Sequence, residues 1–193
     1  GERLILTSTD GETVSDDTCI RPDTSEDRLA ELPPVFSEDG RISAGNSSPL
    51  TSGAAATLLM SARGIDASGL EPLARIVQIA DLGVPPELMG SGAAAAAQRV
   101  LARAGLTPDA IDYWEINEAF SAVSLHAIER LGLDAERVNV NGGALALGHP
   151  LGATGIRLAG TLARILHDRG GRYGCASACV GGGQGIAMVI ERV

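Results

Sequence analysis

A chain of 193 residues, 45% hydrophobic with a mean hydropathy of +0.14, carries enough apolar side chains to bury a substantial core in one domain. Its net charge of −9, its 3% of aromatics and its 15 basic residues, all Arg, exclude a basic nucleic-acid face, a base-stacking platform, a Schiff-base lysine and a phosphate-loop lysine. Three cysteines do not make a disulfide framework and no apolar stretch suggests export or membrane insertion, so the expected setting is cytoplasmic and reducing, with neither a membrane nor nucleic acid as partner.

In chain order, residues 1–40 come first. They hold 11 acids against 3 arginines, a charge of −8, whereas 41–193 balance to −1. With the pair Pro33-Pro34 and little periodicity, this stretch predicts a solvated surface excursion rather than a core layer. Ser52–Arg63, Ala-rich with a Ser at its head, predicts a helix, and Leu73–Ala80 a half-buried strand. A second helix is expected over about 91–104, a short strand over 112–116 running into a helix at 118–130, and another strand at Val138-Asn139-Val140. The Gly-rich run 142–155 leads into a helix at 153–169. Two β-type runs, 172–180 and 185–192, flank Gly181-Gly182-Gly183 with the spacing of a hairpin. Alternating strands and helices predict a layered α/β domain whose mixed sheet lies between helices, with 1–40 outside it.

Three segments place reactive side chains on tight loops at the ends of predicted elements, where scaffolded sites tend to sit. They are Asn117-Glu118-Ala119-Phe120, Gly148-His149-Pro150-Leu151-Gly152 and Cys179-Val180-Gly181-Gly182-Gly183-Gln184-Gly185. Singly, each has a plain alternative: a helix cap with a first-turn acid, a structural histidine, an inert core cysteine, a simple turn. Together they form a set for acyl transfer. A histidine activates a thiol, a second thiol shuttles a proton at carbon, and flanking glycines leave backbone N–H groups free for an oxyanion. Cys175, Cys179 and His149 also invite a zinc site, but residues four apart on a strand share a face without easily sharing one tetrahedral ion, so no metal is expected. The glycines form no G-x-G-x-x-G run, which leaves a dinucleotide site unsupported.

At these three segments the chain resembles the thiolase family, whose C-terminal signatures are an Asn-Glu-Ala-Phe block, a Gly-His-Pro block and a Cys-x-Gly block in that order. The resemblance extends upstream through Arg21-Pro22-Asp23-Thr24, Ala44-Gly45-Asn46-Ser47-Ser48 and Ser52-Gly53-Ala54-Ala55-Ala56. It implies a thiolase-like fold divided into a loop-domain remnant (1–40), the end of the N-terminal domain (41–70) and a C-terminal domain (71–193). The Cys-x-Ser nucleophile block of the family's N-terminal half has no counterpart here. Carried over, the resemblance makes His149 the base for that nucleophile and a donor to the thioester oxygen, and makes Asn117 the holder of a water completing this first oxyanion hole. Cys179 would move the proton at the substrate α-carbon, and the Gly181 N–H would contribute to a second oxyanion hole. Ser48, Met89, Ala119 and Phe120 match positions lining the pantetheine and acyl path, although Ser48-Pro49-Leu50-Thr51 departs from the commoner Gly and Asn-Asp or Ser-Asp pattern. Cys19 matches no block and reads as structural.

The activity implied is cleavage of a 3-ketoacyl-CoA by CoA, or the reverse condensation, within fatty acid metabolism. CoA and acyl-CoA enter as substrates and no cofactor is permanently bound. The expected partners are CoA thioesters, an N-terminal thiolase half on the same or another chain, and further copies in a homo- or hetero-oligomer. The Gly148–Gly155 run leans toward degradative members. Two other readings stay open: a CoA-thioester-binding subunit without turnover, and a self-sufficient cysteine hydrolase built on Cys179 and His149.

Overall fold

The long β-type runs near the end of the chain build the framework. In the computed structural model, which describes residues 5–193, strands β5 (Tyr173–Val180) and β6 (Gln184–Arg192) form the expected hairpin, with Cys179 opposite Gly185. On the far side of β6, strand β3 (Ala74–Gly83) pairs antiparallel, with a bulge between Ile76 and Gln78. On the far side of β5, strand β4 (Tyr113–Ile116) pairs parallel. The result is a mixed four-stranded sheet in the order β3-β6-β5-β4.

Side-chain alternation decides which helix covers which face. Cys175, Cys179, Ala187 and Val189 face the cluster built by helices α3 (Gly92–Ala104) and α4 (Ser121–Leu131), together with the buried Trp114 and Ile116. Ala176 and Ile190 point the other way, onto Leu158, Leu162 and Leu166 of helix α6 (Thr154–Arg169). Alanines at 93, 94, 96 and 97, all essentially buried, let α3 lie close to the sheet. The approach is tightest at its first residue. A Cβ on Gly92 would strike the Gln184 carbonyl, and one on Gly185 would strike Gly92.

Residues 5–40 contribute a two-residue ribbon, β1 (Leu6–Thr7) with β2 (Thr13–Val14), and a short exposed helix, α1 (Glu26–Ala30), but no strand of the main sheet. The surface excursion expected for 1–40 is what the described part of it forms.

Two expectations differ. The helix predicted at 52–63 is absent over 52–61, where the chain has no regular secondary structure and is exposed, and only Ala62–Ser68 coils, as α2. Nothing among the described residues covers its apolar side, since Leu58 and Leu59 are 70% and 72% exposed, and a short Ala-rich segment without tertiary packing is a marginal helix. The strand predicted at 138–140 is also not one. A 3₁₀ turn at Ala135–Arg137 precedes it, Val138 makes a single bridge to Trp114, and Asn139 adopts φ +49°. The Asn139 side chain supplies what a strand backbone would: Oδ1 accepts from the Ile116 N–H (2.8 Å) and Nδ2 donates to the Ile116 carbonyl (2.9 Å).

Candidate active site

The site grows from the carboxyl ends of the parallel pair. Past Ile116 the ladder continues by one bond, from the Asn117 N–H to the Ser177 carbonyl (2.9 Å), two residues before Cys179 on the same strand. Asn117 is 1% exposed and its Nδ2 lies 3.3 Å from His149 Nε2, so residues 32 apart in sequence meet. Its Oδ1 is buried without a partner among the described residues.

His149 leaves a short helix, α5 (Ala144–Leu147), through Gly148. That turn requires glycine on two counts: φ is +93°, and the Thr51 side chain occupies the place of a Cβ. The ring is half-buried and held at both nitrogens, with Nδ1 2.7 Å from the Thr154 hydroxyl. Burial lowers its pKa, and the Arg157 charge lowers it further, both favouring neutral imidazole. Cys179 is 8% exposed, and burial raises its thiol pKa against a smaller opposing backbone hydrogen bond. Cys175, on the same face, is fully buried and its thiol is pushed far up. It serves as core. Gly181 opens the β5–β6 turn, in which Gly182 and Gly183 take φ +85° and +87° and the Gly183 carbonyl accepts from the Val84 N–H (2.8 Å).

The residues matched to a substrate path gather in part. The Ser48 N–H and hydroxyl both donate to the Ala119 carbonyl (3.0 and 3.2 Å), and Ser47 bridges Phe120. Met89, in the 3₁₀ turn Pro86–Ser91, packs with Ala119 and Phe120 against the α3 cluster. Cys19 lies between β2 and α1, in the outlying segment.

Four features escaped the sequence reading. Residues 47–50 act as a strap: besides the Ser47 and Ser48 contacts, the Pro49 carbonyl accepts from the His149 N–H (3.0 Å), which locks one loop to the other. Glu118 anchors the Gly-rich loop, accepting from Asn139 Nδ2 (2.9 Å) and the Leu145 N–H (3.1 Å). The Phe36 ring meets Phe120 edge-on at 5.8 Å between centroids. Thr154 backs the histidine.

A histidine whose neutral form is favoured, a buried amide in contact with it and a buried thiol near the end of the neighbouring strand β5 provide equipment for acyl and proton transfer. Family comparison places the chain. Residues 70–192 match the model described as "Thiolase, C-terminal domain" and residues 4–63 that described as "Thiolase, N-terminal domain". The chain belongs to the thiolase family. It is 47% identical over 184 residues to a 3-ketoacyl-CoA thiolase of Hahella chejuensis, a match covering 93% of this chain and 47% of that protein. Among solved structures it is similar to the Bacillus anthracis acetyl-CoA acetyltransferase, with TM-score 0.92 and 42% identity over 98% of this chain and 48% of the other. It is also similar to human mitochondrial 3-ketoacyl-CoA thiolase in complex with CoA, with TM-score 0.86 and 40% identity over 94% and 46%. The chain thus spans about half the length of the relatives it matches.

Proposed function

We propose that this chain supplies the proton-transfer half of a thiolase active site acting on CoA thioesters. The observation that carries this reading is the contact of Asn117 Nδ2 with His149 Nε2, made beside the strand that bears Cys179. In thiolysis, a cysteine thiolate from the family's N-terminal half attacks the 3-keto carbon, and the bond from that carbon to the α-carbon breaks. Cys179 gives its proton to the departing acetyl-CoA carbanion. The resulting Cys179 thiolate takes the proton of incoming CoA, whose sulfur then displaces the acyl group from the enzyme cysteine. Both thiols are restored. His149, neutral through burial, receives the proton of the first cysteine at Nε2 and offers it to the thioester oxygen, while Asn117 and the Gly181 N–H serve the oxyanions. Ser48, Met89, Ala119 and Phe120 line the pantetheine and acyl path. The parts of the chain divide as 1–40, 41–70 and 71–193, as the resemblance implies. The free thiols suit a reducing cytoplasm, and the reaction belongs to fatty acid breakdown in an oligomeric enzyme.

The test is acetoacetyl-CoA thiolysis by the purified 193-residue chain before and after adding a thiolase N-terminal half. Turnover is expected only from the mixture, because acyl transfer needs a thiolate beside His149. Robust turnover by the chain alone would instead establish the Cys179–His149 hydrolase.

A further inference from the structure

The His149 ring has two neighbours of different kinds, and together they bear on where its proton sits. The Asn117 amide nitrogen, 3.3 Å from Nε2, is a donor without a lone pair to offer, so Nε2 faces it as an acceptor. On the other side the Thr154 hydroxyl lies 2.7 Å from Nδ1 and also 3.0 Å from the Pro150 carbonyl, which only accepts. A hydroxyl has one proton. Spent on Pro150, it leaves the Thr154 oxygen to accept from Nδ1–H, in agreement with the assignment made from the Asn117 side.

We propose that Thr154 is a positioning residue that holds His149 as the Nδ1–H tautomer, with the Nε2 lone pair aimed at the Asn117 side of the site. The deduction extends the role given to His149 above. Thr154 suits the task because it is only 3% exposed and occupies the first turn of α6. Its own N–H also donates to the Pro150 carbonyl (3.0 Å), which binds backbone and hydroxyl to one point. A hydroxyl partner differs in consequence from a carboxylate. It orients the ring without adding a negative charge that would favour imidazolium, so the base stays unprotonated near neutrality.

The alternative arrangement is chemically complete: Thr154 donates to Nδ1 and Nε2–H donates to a rotated Asn117 amide through Oδ1. The two differ in a measurable quantity, the ¹⁵N shifts of the ring nitrogens. The chain has three histidines, at 126, 149 and 167, so a His149→Gln spectrum assigns the signals. The unmodified chain is expected to show His149 with a protonated Nδ1 and an unprotonated Nε2 above its pKa. Thr154→Val, which keeps shape and removes the acceptor, should shift the ratio toward Nε2–H by about fivefold or more, the worth of one net hydrogen bond. Thr154→Ser should restore the original ratio. A protonated Nε2 in the unmodified chain, or an unchanged ratio in a folded Thr154→Val chain, overturns the proposal. The measurement on the unmodified chain stands even if the Val variant does not fold. It needs no turnover, so a missing thiolase activity on mixing would count against the proposed function and leave the tautomer assignment untouched.

Discussion

His149 sits half-buried with its pKa below the usual 6.5, so between that lowered value and 6.5 the unfolded chain binds more protons than the folded one. Stability from this group is therefore full above about pH 6.5 and lost as pH falls toward the folded pKa. Urea midpoints measured from about pH 7.5 down to about 5 should fall less steeply for His149→Gln than for the unmodified chain. Parallel slopes would show that the ring titrates alike in both states. Glu118 makes a second residue-level case, since its carboxylate occupies the space that a Cβ on Gly143 needs. Gly143→Ala should cost about 1–3 kcal/mol by overpacking, and shortening Glu118 to Ala in the same chain should recover part of that loss, a coupling that a double-mutant cycle reads directly. Cys179→Ser, in the complete enzyme, should depress thiolysis and condensation far more than thioester binding. Near-normal turnover by that variant would remove Cys179 from the mechanism.

Among the elements, α3 and the β5–β6 hairpin make the contact least tolerant of change. Gly92 and Gly185 meet backbone to backbone, and backbone cannot rotate away as a long side chain can. Gly185→Ala should therefore destabilise the chain by about 1–3 kcal/mol or more, seen as a lower midpoint in urea at an unchanged m value. Gly69→Ala, at a left-handed helix end with open space around it, should cost only its backbone strain, about 1 kcal/mol. The face under α6 rests on Leu162, which is fully buried beneath Gly174. Leu162→Ala should cost about 2–5 kcal/mol through the cavity it leaves.

On the scale of the whole molecule, large apolar side chains reach solvent along the described chain. Leu58, Leu59, Ile79 and Ile186 are between 45% and 72% exposed, and β3 ends the sheet. Exposed apolar surface together with an open strand edge promotes association. The chain should self-associate at micromolar concentration in light scattering, and a thiolase N-terminal half should suppress this if it covers the same side chains. A monodisperse monomer that ignores the added half would contradict the expectation.

Signals confined to a few neighbouring residues were legible without coordinates. The hairpin at 172–192, the helices at 92–104 and 154–169 and the three reactive loops all announce themselves through periodicity, glycine position or motif, because their causes act over one or two turns of chain. Where the cause is a distant partner, local pattern fails. Ser52–Met60 has the composition of a helix, yet helix formation there depends on a surface to bury its apolar side, and none is supplied by the described residues. Val138–Val140 has the composition of a strand, yet one Asn139 amide takes over the Ile116 N–H and carbonyl, and Glu118 completes its bonding. The sequence alone determined which residue types were available for acyl and proton transfer. Only the tertiary structure decided that Asn117 faces His149 and that Pro49 fastens its loop, because hydrogen bonds across 32 or 100 residues depend on how the sheet stacks its strand ends.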